Sequence, residues 1–146
     1  EVSFYIQHFT EGCILDQFRF CEFLGKTETD KAIFRRVMQD EARHVSYGTM
    51  RLKYSLEHTP DRQALAEKLH SLADNVETDF YIWLSFNPLL MEPMAILAAD
   101  GLTHIDKGYD TLRTLFVKMR EEYLNRCDRA GFDRRPRCLI PSEPPF

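Results

Sequence analysis

No glycine-rich phosphate loop occurs in this sequence, and no serine stands in a nucleophile-elbow setting, so P-loop and elbow-type hydrolase chemistry fall away first. Strand-like alternation of apolar and polar residues is nearly absent. A broad basic surface is missing as well. Nineteen Lys and Arg stand against 23 Asp and Glu, a formal net charge of −4, which argues against a nucleic-acid partner. Arginines do cluster at "DRRPR", Asp133 to Arg137, but in a proline-rich tail where they serve to solvate the chain. Cys13, Cys21, Cys127 and Cys138 form neither a zinc-finger spacing nor a CxxC pair, which points to a reducing, cytoplasmic setting. No signal-peptide pattern is legible in these residues, and none is expected. The chain opens on "EVSFYIQHF" rather than on Met, in what reads as the inside of a helix, and the expectation is that an N-terminal half of the same protein lies upstream.

The remaining sequence is that of an ordinary globular protein: 146 residues, 44% apolar and 29% charged, enough for one domain with a sizeable core. The one long apolar segment, Phe80 to Ala99, approaches the length of a membrane span. Asn87, Pro88, Glu92 and Pro93 interrupt it, and a core hairpin is the better reading, with contact at one membrane face as the alternative.

Helical signals dominate the chain. A first helix is expected from about Val2 to Leu24, stopped by Gly25. A second runs from Asp30 to about Leu56, capped by Thr27 or Thr29. Thr59 and Pro60 read as cap and first residue of a third, Asp61 to Phe86. Asn87 and Pro88 repeat that signal for a short helix ending near Gly101, and Thr103 with Asp106 reads as a capping box for a last helix to about Arg129. The organisation is thus a helical domain over residues 1–130 and an extended tail over 131–146 that carries four of the seven prolines and lies over the surface or a neighbouring subunit.

Chemistry must then come from carboxylates and imidazoles on helices. In the second helix Phe34, Val37, Glu41, His44, Gly48 and Leu52 recur every three or four residues, and Ile33, Met38 and Val45 widen the stripe. Glu41 and His44 therefore point with the core residues. A carboxylate there is costly unless paired or bound to metal. In the first helix Phe4, Gln7, His8, Glu11, Leu15 and Phe18 share a stripe, with Gly12 leaving room for a close neighbour. Glu11 lies about fourteen residues before Gly25 and Glu41 about fourteen after Thr27, so a hairpin sets them at one depth. The alternative is an internal salt network, with Glu41 held by Arg43 or Arg51. A second formal Glu-x-x-His, Glu67 to His70, reads as a surface pair.

The passages "EGCILDQFRFCEFL" and "FRRVMQDEARHVSYGTMRL" resemble the second half of a ferritin-like di-iron carboxylate domain, in the oxygenase and oxidase branch related to arylamine N-oxygenases and the small subunit of ribonucleotide reductase. The resemblance covers about Phe4 to Met50. It implies an all-α fold: the second half of a ferritin-like four-helix bundle plus C-terminal helices. It implies Glu11, Glu41 and His44 as metal ligands and catalytic residues, Asp40 as the acid that takes the ring N–H of a ligand histidine, and Arg43 as a brace for a carboxylate. Phe4, His8, Phe18, Phe34 and Val37 become candidate walls of a substrate pocket. The implied cofactors are two iron ions, or manganese with iron, and dioxygen as co-substrate; the implied partners are a small organic substrate, an electron donor and the missing half of the protein. The implied activity is that of a monooxygenase or oxidase. Val37 stands where the arylamine oxygenases carry an extra histidine, which weakens an N-oxygenase assignment. The rivals are a non-catalytic helical scaffold, an iron-storage or radical-generating protein, and a homodimer that completes the site by symmetry.

Overall fold

The computed structural model describes residues 3–85, 88–144 and 146, and among these all regular structure is helical. A π-helical segment, Ser3–Thr10, leads into α1, Glu11–Leu24. Then follow α2 (Glu28–His58), α3 (Arg62–Ser85), α4 (Pro88–Ala98), a 3₁₀ turn (Leu102–His104) and α5 (Ile105–Ala130). The first helix is therefore continuous through Leu24 as expected, but its hydrogen-bond pattern changes register directly before Glu11.

Local chemistry explains most boundaries. The Asp30 N–H donates to Thr27 Oγ1 at 3.1 Å while the Thr27 N–H donates to Asp30 Oδ2 at 3.0 Å, a complete capping box for α2. From there α2 runs 31 residues, about 46 Å. It ends where the Thr59 N–H donates back to Ser55 O at 3.0 Å and Thr59 turns extended ahead of Pro60. Thr59 thus closes α2 and does not open α3. Asp61 Oδ1, which accepts from the Ala64 N–H at 2.9 Å, does that instead. The expected box at Thr103 and Asp106 does not form either. Thr103 lies inside the 3₁₀ turn, so α5 starts at Ile105 with no side-chain cap. The far end of α5 is closed by Gly131 at φ 93°, with the Gly131 N–H donating to Asp128 O and the Phe132 N–H to Cys127 O.

α1 and α2 form an antiparallel hairpin, and α5 packs across both, with α4 along its first half. Two glycines permit close approaches. A Cβ at Gly48 would stand 2.6 Å from the Gln7 Cβ, so α2 and the π-helical segment meet almost backbone to backbone. A Cβ at Gly108 would run into the Ala95 carbonyl, which lets α5 lie against α4. The core runs through Phe4, Phe9 and Phe20, Leu52 and Leu56 of α2, Leu69, Ala73 and Val76 of α3, and Phe116, Tyr123 and Leu124 of α5. Fully burying a side chain such as Leu56 contributes about 1.5–3 kcal/mol.

The tail does not lie loosely outside this core. Phe132, Arg134 and Ile140 are buried, and Arg134 enters the bundle to meet Glu77 of α3. The apolar segment Phe80 to Ala99 divides between the end of α3 and α4; Phe86 and Asn87, where the hairpin turn was expected, lie outside the described residues. Among the described residues no helix is long and apolar enough to cross a membrane.

Candidate metal centre

Glu11 is the first residue of α1, and Glu41 and His44 stand one turn apart in the middle of α2. The hairpin brings one donor atom of each within 4.8 Å of the others. His44 Nδ1 lies 3.7 Å from Glu11 Oε1 and 3.7 Å from Glu41 Oε2. Those distances are too long for hydrogen bonds. Donor atoms that share one ion at ~2.1 Å stand about 3–4 Å apart, so the separations suit coordination.

The surroundings of the carboxylates point the same way. The side chains of Glu11 and Glu41 are only 19% and 21% exposed. Glu11 Oε2 and Glu41 Oε2 are buried and have no hydrogen-bond partner. Among the described residues neither carboxylate forms an ion pair with an arginine or lysine, the arrangement that a purely structural salt network requires. Two neighbouring carboxylates with orphaned, water-excluded oxygens are costly as they stand and become favourable around a cation. The donor set therefore fits one metal ion held by two carboxylates and an imidazole. Among the described residues it is a single cluster of three, with no second Glu-x-x-His beside it.

His44 departs from expectation. Its side chain is 56% exposed, at the rim of the cluster and not inside the core. The buried line of α2 is Val45, Gly48, Leu52 and Leu56, on the side where the π-helical segment, α1 and α5 pack, and His44 is one 100° step away from it. Ile33, expected in the same stripe, is exposed for the same reason. Asp40 and Arg43 pair with each other on the solvent side of α2, in place of a histidine contact for one and an interhelical brace for the other.

The five residues expected to wall a substrate pocket separate into two groups on either side of Glu11. Phe18 and Phe34 face each other across the α1–α2 seam with ring centroids 6.1 Å apart, and Val37 is half-buried on the same stretch of α2. Phe4 and His8 are fully buried, stacked with centroids 5.6 Å apart, and both meet Phe132. They fill the core and line no opening. Thr49 Oγ1 donates to Val45 O at 2.9 Å, so the hydroxyl proton is committed and His8 Nδ1–H donates to Thr49 Oγ1 at 3.3 Å. His8 Nε2 is then left to accept from the Cys127 thiol at 3.4 Å. Burial supports that assignment: it pushes the Cys127 thiol up to about 12 and the His8 imidazole down to about 3, Arg126 and Arg129 adding to the latter. A groove of about 810 Å³ runs between α1 and α5 past Asp16, Phe20, Phe23 and Leu115. It is lined by none of Glu11, Glu41 and His44.

Four buried charges, Asp16, Glu77, Arg126 and Arg134, escaped the sequence reading. Arg126 lies on Gly12, next to Glu11, with Nη1 3.7 Å from Asp16 Oδ2. Gly12 marked a close approach; what approaches is this guanidinium. Arg134, read as a solvated tail residue, donates to Glu77, to Asp74 Oδ1 at 2.7 Å and to Arg137 O at 3.1 Å. Nothing in "DRRPR" separates the buried arginine from its exposed neighbours. At the second Glu-x-x-His, Glu67 pairs with Arg137 at 3.0 Å and His70 Nδ1 accepts from Arg134 Nη1 at 3.1 Å. That ring nitrogen is committed to a guanidinium and is not offered to a metal. No protein-family model, no curated protein and no solved structure matches this chain.

Proposed function

We propose that Glu11, Glu41 and His44 bind a transition-metal ion as half of a two-metal carboxylate centre, and that the complete centre is an oxygenase or oxidase acting on a small organic molecule. The observation that carries the metal reading is the pair of buried carboxylate oxygens, on Glu11 and Glu41, with no hydrogen-bond partner and, among the described residues, no ion pair to an arginine or lysine. Mixed oxygen and nitrogen donors suit iron or manganese better than a soft-metal site. Iron, or manganese with iron, supplies the redox chemistry that dioxygen requires when bound there.

The chain's own residues have definite tasks in this reading. Glu11 and Glu41 bring two negative charges to one point and hold the cation between the helices. His44 supplies the neutral donor from the solvent side. Phe18, Phe34 and Val37 keep water from the α1–α2 seam beside the ligands. The oxidative reading rests on the resemblance of residues 4–50 to di-iron oxygenases. With it come dioxygen, an electron donor, a second set of ligands and a cytoplasmic location.

A second reading keeps the metal and drops the turnover, as in storage or radical generation. It is favoured by one observation: the organic-sized groove lies between α1 and α5, away from the three ligands. Metal analysis and titration with Fe(II) under nitrogen decide the first point. Glu41→Ala and His44→Ala are expected to abolish binding at this site; unchanged affinity in both variants would overturn the assignment. Consumption of dioxygen by the iron-loaded protein, stimulated by a small aromatic substrate, separates turnover from storage.

A further inference from the structure

We propose that the pocket behind Phe146 is a binding site for a small uncharged aromatic molecule, and that the tail holds the Phe146 ring in it as a displaceable plug. The site lies between α4 and α5 and is lined by none of Glu11, Glu41 and His44, so the proposal goes beyond the metal reading and stands or falls without it.

The chemistry of the wall selects the ligand. Met91 and Met94 of α4 stand one turn apart and meet Leu112, Phe116 and Met119 of α5 around a cavity of about 40 Å³. Among the described residues that line it, Gln17 of α1 is the one polar side chain and none is charged. A buried water needs several polar partners, so this space is dry and suits an apolar guest. Thioether side chains are unbranched and adaptable, and they make favourable contacts with aromatic rings. Three of the chain's five methionines converge here, a wall that can reshape around a ring; Met38 and Met50 lie on α2 and do not line it. A cavity that takes benzene measures about 150 Å³, so the free space alone is too small. Withdrawal of the Phe146 ring leaves room for a ring of the same size.

The guest in place belongs to the chain itself. Phe146 lines the cavity, is half-buried, and stands with its ring centroid 6.2 Å from that of Tyr109. Its carbonyl accepts from Arg113 Nε–H at 3.2 Å, a hydrogen bond exposed to solvent and readily exchanged for one to water. The firm anchor of the tail lies further back, where Phe132, Arg134 and Ile140 are buried. Ser142 and Glu143, between that anchor and the plug, are exposed. Phe146 can therefore leave its pocket while Arg134 keeps its grip on Glu77. Leu115 lines both this cavity and the groove between α1 and α5, which gives a ligand an approach from solvent.

The test uses the full chain, metal-free, with isotope-labelled methionine methyl groups followed by NMR during titration with toluene, the free counterpart of a phenylalanine side chain. The Met91, Met94 and Met119 signals are expected to shift along one saturable curve while those of Met38 and Met50 stay in place. A plug lowers the apparent affinity by the fraction of time that the pocket stands open. Phe146→Ala is therefore expected to keep its helical circular dichroism and to bind toluene at least about tenfold more tightly than the parent, with Phe146→Leu between the two. Unmoved signals at the three pocket methionines in both the parent and Phe146→Ala overturn the proposal, as do equal shifts at all five. Toluene binding that Phe146→Ala does not strengthen overturns the plug. Loss of the helical fold in Phe146→Ala does the same, because it makes Phe146 a core residue. None of these outcomes touches metal binding by Glu11, Glu41 and His44.

Discussion

Arg134 grips Glu77 with two parallel hydrogen bonds, Nε to Oε1 at 2.9 Å and Nη2 to Oε2 at 2.8 Å, and neither side chain is exposed to solvent. Glu77 also accepts from Tyr123 Oη–H at 2.7 Å and from the Leu139 N–H at 2.7 Å. One carboxylate of α3 therefore ties down α5 and both ends of the tail's inner stretch. Arg134→Met is expected to cost about 3–5 kcal/mol, because it strands a buried carboxylate. Glu77→Gln/Arg134→Met should recover part of that loss, since the charge is then gone. Urea unfolding of the parent and the two variants measures both; an Arg134→Met chain within about 1 kcal/mol of the parent contradicts the account.

Acid should unfold the protein through His8. The buried imidazole titrates at about 3 against its ordinary 6.5, so between those values the unfolded chain binds a proton that the folded chain refuses. The contribution is fully present above about pH 6.5 and is lost as the pH falls toward 3, with a slope of up to about 1.4 kcal/mol per pH unit. His8→Gln keeps hydrogen-bonding capacity without the titration. It should be less stable at pH 7 and show a flatter decline between pH 6 and 4, as read by denaturant midpoints.

A methyl group at position 108 has nowhere to go. The atom it would strike is the backbone carbonyl of Ala95, which cannot rotate aside as a side chain can. Gly108→Ala should therefore push α4 off α5 at a cost of about 1–3 kcal/mol, despite the better helix propensity of alanine. The melting temperature checks the sign: a rise means that the two helices do not cross there.

Glu11 and Glu41 should oppose folding when no cation is present. Glu41→Gln is expected to leave the metal-free chain as stable as the parent or more stable, because one orphaned charge is removed. The same change should weaken Co(II) or Fe(II) binding at least a hundredfold. Thermal melts with and without metal give both quantities, and a parent chain whose melting temperature ignores the metal would argue against the cluster as a site.

The helical character of the chain, a cap at Thr27, the Gly25 stop and the common depth of Glu11 and Glu41 were all written in the sequence, because each depends on spacing along one or two neighbouring helices. Propensity, a cap and a 1.5 Å rise act locally and survive translation into structure. What the tertiary fold decided was which faces are covered. His44 shares the core stripe by spacing, yet it is exposed because the elements packed on α2, the π-helical segment, α1 and α5, bury the line of Val45 and Leu52 and leave His44 at its rim. Phe4 and His8 read as pocket walls, yet Phe132 returns from the far end of the chain and closes over them. Arg134 read as a solvated tail residue, and only the fold sets Glu77 at the point where its guanidinium arrives. Burial of a charge is settled by partners distant in sequence, so no local pattern announces it.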